Sequence, residues 1–340
     1  MHAQLPLRLA LFRRLQALPI DTFLLAMAAT VALAALFPAR GAFATAMSVA
    51  AKVVIALLFW LYGARLSPRQ AWQGVKRWQL HLLVLATTFV VFPALGLAAR
   101  GLAPWLLNLD LYNGLLFLCL VPSTVQSSIA FTSIARGNVS AALVSASLSN
   151  IVGIALTPLL VVLLMNTSGG ARMDAAAIRD VLLQLLLPFV LGQLMRPWIA
   201  DWILGHAAVT KIVDRGSILL VVYTAFSMGM VEHIWRSVNA WQLLAVAVVD
   251  SVLLTVVLIF TWLTGRLVGL DRGDSIVLLF CGSKKSLASG LPMALVFFPP
   301  ATVGVIMLPL MIFHQVQLVV CSVIASRLSR DELPAEAPSS

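Results

Sequence analysis

The chain has 340 residues, of which 61% are hydrophobic and 11% charged, with a formal net charge of +10. A soluble globular domain is about 45–50% apolar and about 25% charged, so this composition excludes one and describes a polytopic membrane protein. The positive charge does not point to nucleic acid, because the basic residues sit at the ends of apolar segments, as membrane orientation requires.

Residues 1–19 place Leu7, Leu11, Phe12, Leu15 and Leu18 on one helical face, with Arg8 and Arg14 elsewhere. That pattern predicts a cytoplasmic segment lying on the membrane surface. The apolar run that follows is longer than the core of a cleaved signal and reads as a first span. A crossing helix needs about 20 apolar residues, and ten segments satisfy this, at about 20–38, 44–64, 80–102, 111–135, 139–165, 177–200, 216–235, 241–268, 274–298 and 302–326. Their short connections carry turn or breaker residues such as Ser67-Pro68, Arg136-Gly137-Asn138 and Pro299-Pro300. The expected fold is an all-α polytopic membrane protein of ten transmembrane helices, halved into residues 20–166 and 177–328. Residues 331–340 read as a disordered polar tail. Cys119, Cys281 and Cys321 lie inside apolar segments and are expected as buried thiols, with no metal site.

Basic residues orient the segments. An N-terminus inside puts Arg8, Arg13, Arg14, Arg65, Arg69, Lys76, Arg77, Arg136, Arg196, Lys211, Arg215, Arg266, Arg272, Arg327 and Arg330 in the cytoplasm. Only Arg40, Arg100, Arg172, Arg179 and Arg236 fall on the other side. Both termini are therefore predicted in the cytoplasm of a multi-pass protein in the cell (inner) membrane. Two sets of five spans make the second set enter from the opposite side, an inverted repeat.

Two segments are interrupted at related places. Pro122-Ser123-Thr124-Val125-Gln126-Ser127-Ser128 breaks the fourth, and Gly282-Ser283-Lys284-Lys285-Ser286 breaks the ninth. Backbone opened inside a bilayer must meet protein or a wet cavity, and an ammonium there costs roughly 2.5–3.5 kcal/mol on insertion scales. Pro122 and Gly282 are expected to break the helices, Gly282 through unusual backbone angles. Gln126, Ser127, Ser128, Ser283, Lys284, Lys285 and Ser286 are candidates for binding substrate or ion, joined by Asn150 and Gln315 from the fifth and tenth segments. Asp250 is expected as the charge partner of Lys284 or Lys285, or as a relay with His314. No phosphate-binding loop, zinc-protease motif or nucleophile elbow is present, so neither an enzyme nor a cofactor is expected.

The stretch from Gly63-Ala64-Arg65-Leu66-Ser67 to Phe92-Pro93, then Pro122 through Ala135-Arg136-Gly137-Asn138, then Thr157-Pro158-Leu159, resembles the bile acid:sodium symporter superfamily. Gly282-Ser283-Lys284-Lys285-Ser286-Leu287-Ala288-Ser289-Gly290 and Phe313-His314-Gln315 resemble its SBF-like subgroup. The resemblance implies a panel domain of spans one, two, six and seven beside a core in which discontinuous helices four and nine cross. It also implies a small organic anion as substrate, carried by alternating access with Na+ or H+ coupling. The sodium-coupled relatives carry a sodium-holding Glu at the ninth-helix crossover, where this chain has Phe280, with Lys284 and Lys285 close by. Those lysines are expected to supply fixed positive charge in place of the ion and to attract the anion. A membrane regulatory or scaffold protein of the same fold is the alternative.

Overall fold

The computed structural model describes residues 22–65, 77–165, 175–233 and 238–330. The surface segment and the tail expected at residues 1–19 and 331–340 lie outside them. Every regular element among the described residues is helical. In chain order these are α1 (Thr22–Leu36), α2 (Gly41–Arg65), α3 (Trp78–Leu102), α4 (Leu109–Leu120), α5 (Gln126–Ile134) and α6 (Val139–Met165). There follow α7 (Ala175–Gly205), α8 (Ala207–Val231), α9 (Ala240–Leu267), α10 (Arg272–Gly282), α11 (Leu287–Phe297) and α12 (Pro300–Arg330).

Among the described residues, 7 helices are long and apolar enough to cross a membrane: α2, α3, α6, α7, α8, α9 and α12. The ten apolar segments of the sequence differ from this count for a physical reason. The fourth is divided into α4 and α5 and the ninth into α10 and α11, so no half has spanning length, and α1 has 15 residues.

Side chains set the helix ends. Asn108 accepts from the Leu111 N–H at 2.8 Å to start α4, Asn138 from Ala141 at 3.1 Å to start α6, and Ser286 from Ser289 at 3.1 Å to start α11. Each satisfies an amide that has no partner within its own helix. Pro158, Pro188, Pro197 and Pro309 lie inside α6, α7 and α12 without ending them, as neighbouring helices permit in a membrane protein. The seventh segment begins earlier than hydropathy predicts, at Ala207 rather than about residue 216. Lys211, Asp214 and Arg215 lower the apolar score of its first turns, yet they are helical. The Arg65 and Asp214 side chains pair at 2.6 Å across α2 and α8.

Helices α1, α2, α7 and α8 pack on one another, while α10 packs among α3, α5, α6 and α9. Helix α12 runs against α4, α8 and α9. The approach of α2 to α7 is the tightest in the first set. A Cβ on Gly63 would lie 2.0 Å from Phe189 O, and one on Gly192 would lie 2.0 Å from Trp60 O, so only glycine fits either position.

Candidate functional site

The two breaks meet. Residues between α4 and α5 leave helical geometry at Val121, as expected for the residue before a proline. The freed groups find partners in the other break and in α6. The Ser286 N–H donates to Pro122 O at 2.8 Å, Ser123 Oγ to Cys281 O at 2.6 Å and Ser128 Oγ to Phe280 O at 3.2 Å. Asn150 on α6 ties both breaks together. Its Nδ2 donates to Ser123 O at 2.8 Å, and its Oδ1 accepts from Ser289 Oγ at 2.8 Å.

Gly282 ends α10, but not through unusual angles, since it is not among the residues with positive φ. Its missing side chain is what matters: a Cβ would approach Thr261 Cγ2 on α9 to 3.1 Å. Ser283 folds back, donating to Leu279 O at 2.5 Å, and is fully buried.

Both lysines are fully buried too. Lys284 Nζ donates to Ser127 O at 2.9 Å and stands 3.8 Å from the Phe131 ring centroid. Lys285 Nζ donates to Thr88 O at 2.9 Å, Cys119 O at 2.9 Å and Val121 O at 2.8 Å, with the Phe92 ring 4.1 Å away. Asp250 is not their partner. It is fully buried on α9 and forms no ion pair among the described residues. The amines have carbonyls of the broken helices to bind, and those are nearer than any carboxylate. Lys52, the other lysine inside an apolar segment, is exposed on α2.

A cavity of about 570 Å³ separates the α1, α2, α7 and α8 set from the broken helices. On the broken-helix side it is lined by Thr124, Gln126 and Ser127, by Ser147 and Asn150, by Ser286 to Ser289, and by His314. These include the first turns of α5 and α11, whose unpaired amides carry partial positive charge. The opposite wall has Phe59, Tyr62, Phe189 and Ile218, with Arg65, Lys211, Asp214 and Arg215 beside them. That wall carries three cationic side chains, Arg65, Lys211 and Arg215, against one carboxylate, Asp214, which pairs with Arg65.

The expected set is thus brought together only in part. Gln126, Ser127, Asn150, Ser286 and His314 line the cavity, whereas Ser128, Ser283, Lys284 and Lys285 are packed behind it. The lysines therefore do not face an anion in the cavity. Gln315 does not line it either. Gln317 holds the break: its Oε1 accepts from the Lys285 N–H at 2.9 Å, and its Nε2 donates to Lys285 O at 3.0 Å. Nε2 is also 2.8 Å from His314 Nδ1. Sequence reasoning missed Arg65, Lys211, Asp214 and Arg215 because they resemble ordinary cytoplasmic end residues. No group of three metal-ligating side chains occurs among the described residues.

The model of the SBF-like CPA transporter family matches residues 21–330, and the chain belongs to that family. It is a family of membrane transporters rather than enzymes, and the chain is a multi-pass membrane protein. Among relatives, the chain is 48% identical over 324 residues to "Uncharacterized protein PA2026" of Pseudomonas aeruginosa, covering 94% of this chain and 97% of that one. It is 47% identical over 323 residues to "Putative symporter YfeH" of Escherichia coli, again covering 94% and 97%. "Sodium/bile acid cotransporter 7" of Rattus norvegicus is 26% identical over 275 residues, covering 80% of this chain and 81% of the relative.

Proposed function

We propose that this protein is a secondary transporter of an amphipathic organic anion, working by alternating access. The observation that carries the reading is the cavity. Its volume of about 570 Å³ suits a small molecule. Arg65, Lys211 and Arg215 against the single carboxylate of Asp214 make its charged wall net positive, two helix N-termini face it, and Phe59, Phe189 and Ile218 offer an apolar wall. The solute's charged group sits by Lys211 and Arg215, and its other polar groups meet Gln126, Ser127, Asn150 and Ser289.

In this reading α1, α2, α7 and α8 are the panel and the remaining helices the core, and access alternates as the two sets shift. The division into halves 20–166 and 177–328, related as inverted five-helix repeats, is supported by the meeting of the breaks at Pro122 and Gly282. Pro158 in α6 and Pro309 in α12 support it as well. Both termini are cytoplasmic, which puts the Lys211 edge of the cavity on that side of the inner membrane.

A thermal-shift screen of the purified protein tests this, using taurocholate and simple aromatic carboxylates against cations of similar size. Anions should raise the melting temperature and cations should not. In Lys211→Ala with Arg215→Ala the half-saturating anion concentration should rise about tenfold or more, since a hydrogen bond to a charged group is worth about 1.5–3 kcal/mol. Equal shifts by anions and cations, or an unchanged response in the double variant, would count against the reading.

A further inference from the structure

Three backbone carbonyls surround one point beside the crossing of the breaks, and each lacks its helical donor for a separate reason. Helix α3 contains a wide turn at Thr87–Val91, in which the Phe92 N–H donates to Thr87 O. That takes the α-helical donor away from Thr88 O, and the next residue, Pro93, has no N–H to give. A continued α4 would offer Cys119 O the Ser123 N–H, which goes to Ser149 Oγ at 3.1 Å instead. Val121 has turned extended, at φ −77 and ψ 156. Two prolines, Pro93 and Pro122, thereby leave three oxygens facing inward, two of them at the negative end of the α4 dipole.

A cluster of uncharged carbonyl oxygens in a buried pocket is the ligand set of a hard monovalent cation. Lys285 Nζ fills it, at 2.8–2.9 Å from all three oxygens. An ammonium has three N–H donors and no acceptor, so the match leaves none over. The Phe92 ring covers it at 4.1 Å. Gln317 fixes the Lys285 peptide from both sides, so the side chain starts from a held backbone. Lys284 differs, with one carbonyl and the Phe131 and Phe280 rings.

The geometry points to Lys285 as a tethered cation: its ammonium occupies a cage that takes a free alkali cation when that side chain is removed. The wild-type protein therefore holds no sodium there, although some relatives are named for sodium. This holds whatever solute the cavity takes.

The test is melting of purified protein in sodium, potassium or propylammonium chloride, each against choline chloride at one ionic strength. Wild type and Lys284→Ala should melt alike in all four salts. Lys285→Ala should gain several degrees in propylammonium and in sodium or potassium. Alkali-specific stabilisation of wild type, an equal gain in Lys284→Ala, or no gain in Lys285→Ala overturns the proposal. If Lys285→Ala is not monodisperse in choline, it is purified in each salt instead. Recovery in sodium or potassium then supports the proposal, and recovery in neither overturns it.

Discussion

Two glutamines two positions apart on α12 show how much one residue's direction decides. Leu310, Phe313, Gln317, Cys321 and Ala325 are fully buried and recur at helical spacing, so Gln317 belongs to the core face. Gln315 lies about 200° away from it at about 100° per residue. Replacing Gln317 by Leu leaves both the N–H and the C=O of Lys285 without partners inside the protein. At about 1–3 kcal/mol for each buried polar group left unsatisfied, the loss should be about 2–6 kcal/mol. Gln315→Leu should cost less than about 1 kcal/mol. Thermal unfolding in detergent compares them, and equal losses would refute the assignment. The sequence held this information, since the apolar stripe passes through residue 317. The direction of Lys284 and Lys285 was not legible in the same way. Their depth follows from position along a segment, but their contacts depend on which carbonyls three other helices leave unpaired.

At the scale of elements, proline and glycine divide the work. Pro122 was a readable break because it removes a donor wherever it stands. Gly282 was readable as a boundary but for the wrong cause, because the nearness of Thr261 is a property of the packed α9. The approach of α2 to α7 was hidden for that same reason: Gly63 and Gly192 are far apart in sequence, and nothing local marks them as opposed. Gly192→Val should force the pair apart and cost about 1–3 kcal/mol, as overpacking does. Gly216 on α8 has nothing within 4 Å of a built Cβ. Gly216→Ala should therefore be neutral or stabilise by up to about 1 kcal/mol. Melting temperatures that fall by similar amounts in both variants would refute the close α2–α7 contact.

For the whole molecule, sequence gave the helical class, the membrane setting and the place of both breaks. The cavity was less accessible, because its charged wall is built from residues that also satisfy the cytoplasmic charge bias. Arg65 and Arg215 read as end residues until α8 is seen to begin at Ala207 and to lie against the opening. The helices around the breaks have a clamp of their own. Asp274 at the start of α10 accepts from Asn138 Nδ2 at 2.9 Å and from Arg77, whose guanidinium it holds above its ordinary pKa through that hydrogen bond. Orientation can be checked directly. Cys119, Cys281 and Cys321 are buried, so Lys211→Cys should react with a membrane-impermeant maleimide in inside-out vesicles and not in right-side-out ones. The reverse pattern would invert the proposed topology.

An ammonium anchored by its own side chain returns to the same oxygens on every cycle and never leaves for either compartment. The electrochemical potential of sodium then does no work through that cage, however steep it is. An ion that drives accumulation must then act at another place in the protein. Without one, the carrier would level a pool rather than fill it, and its net flow would reverse sign with the imbalance.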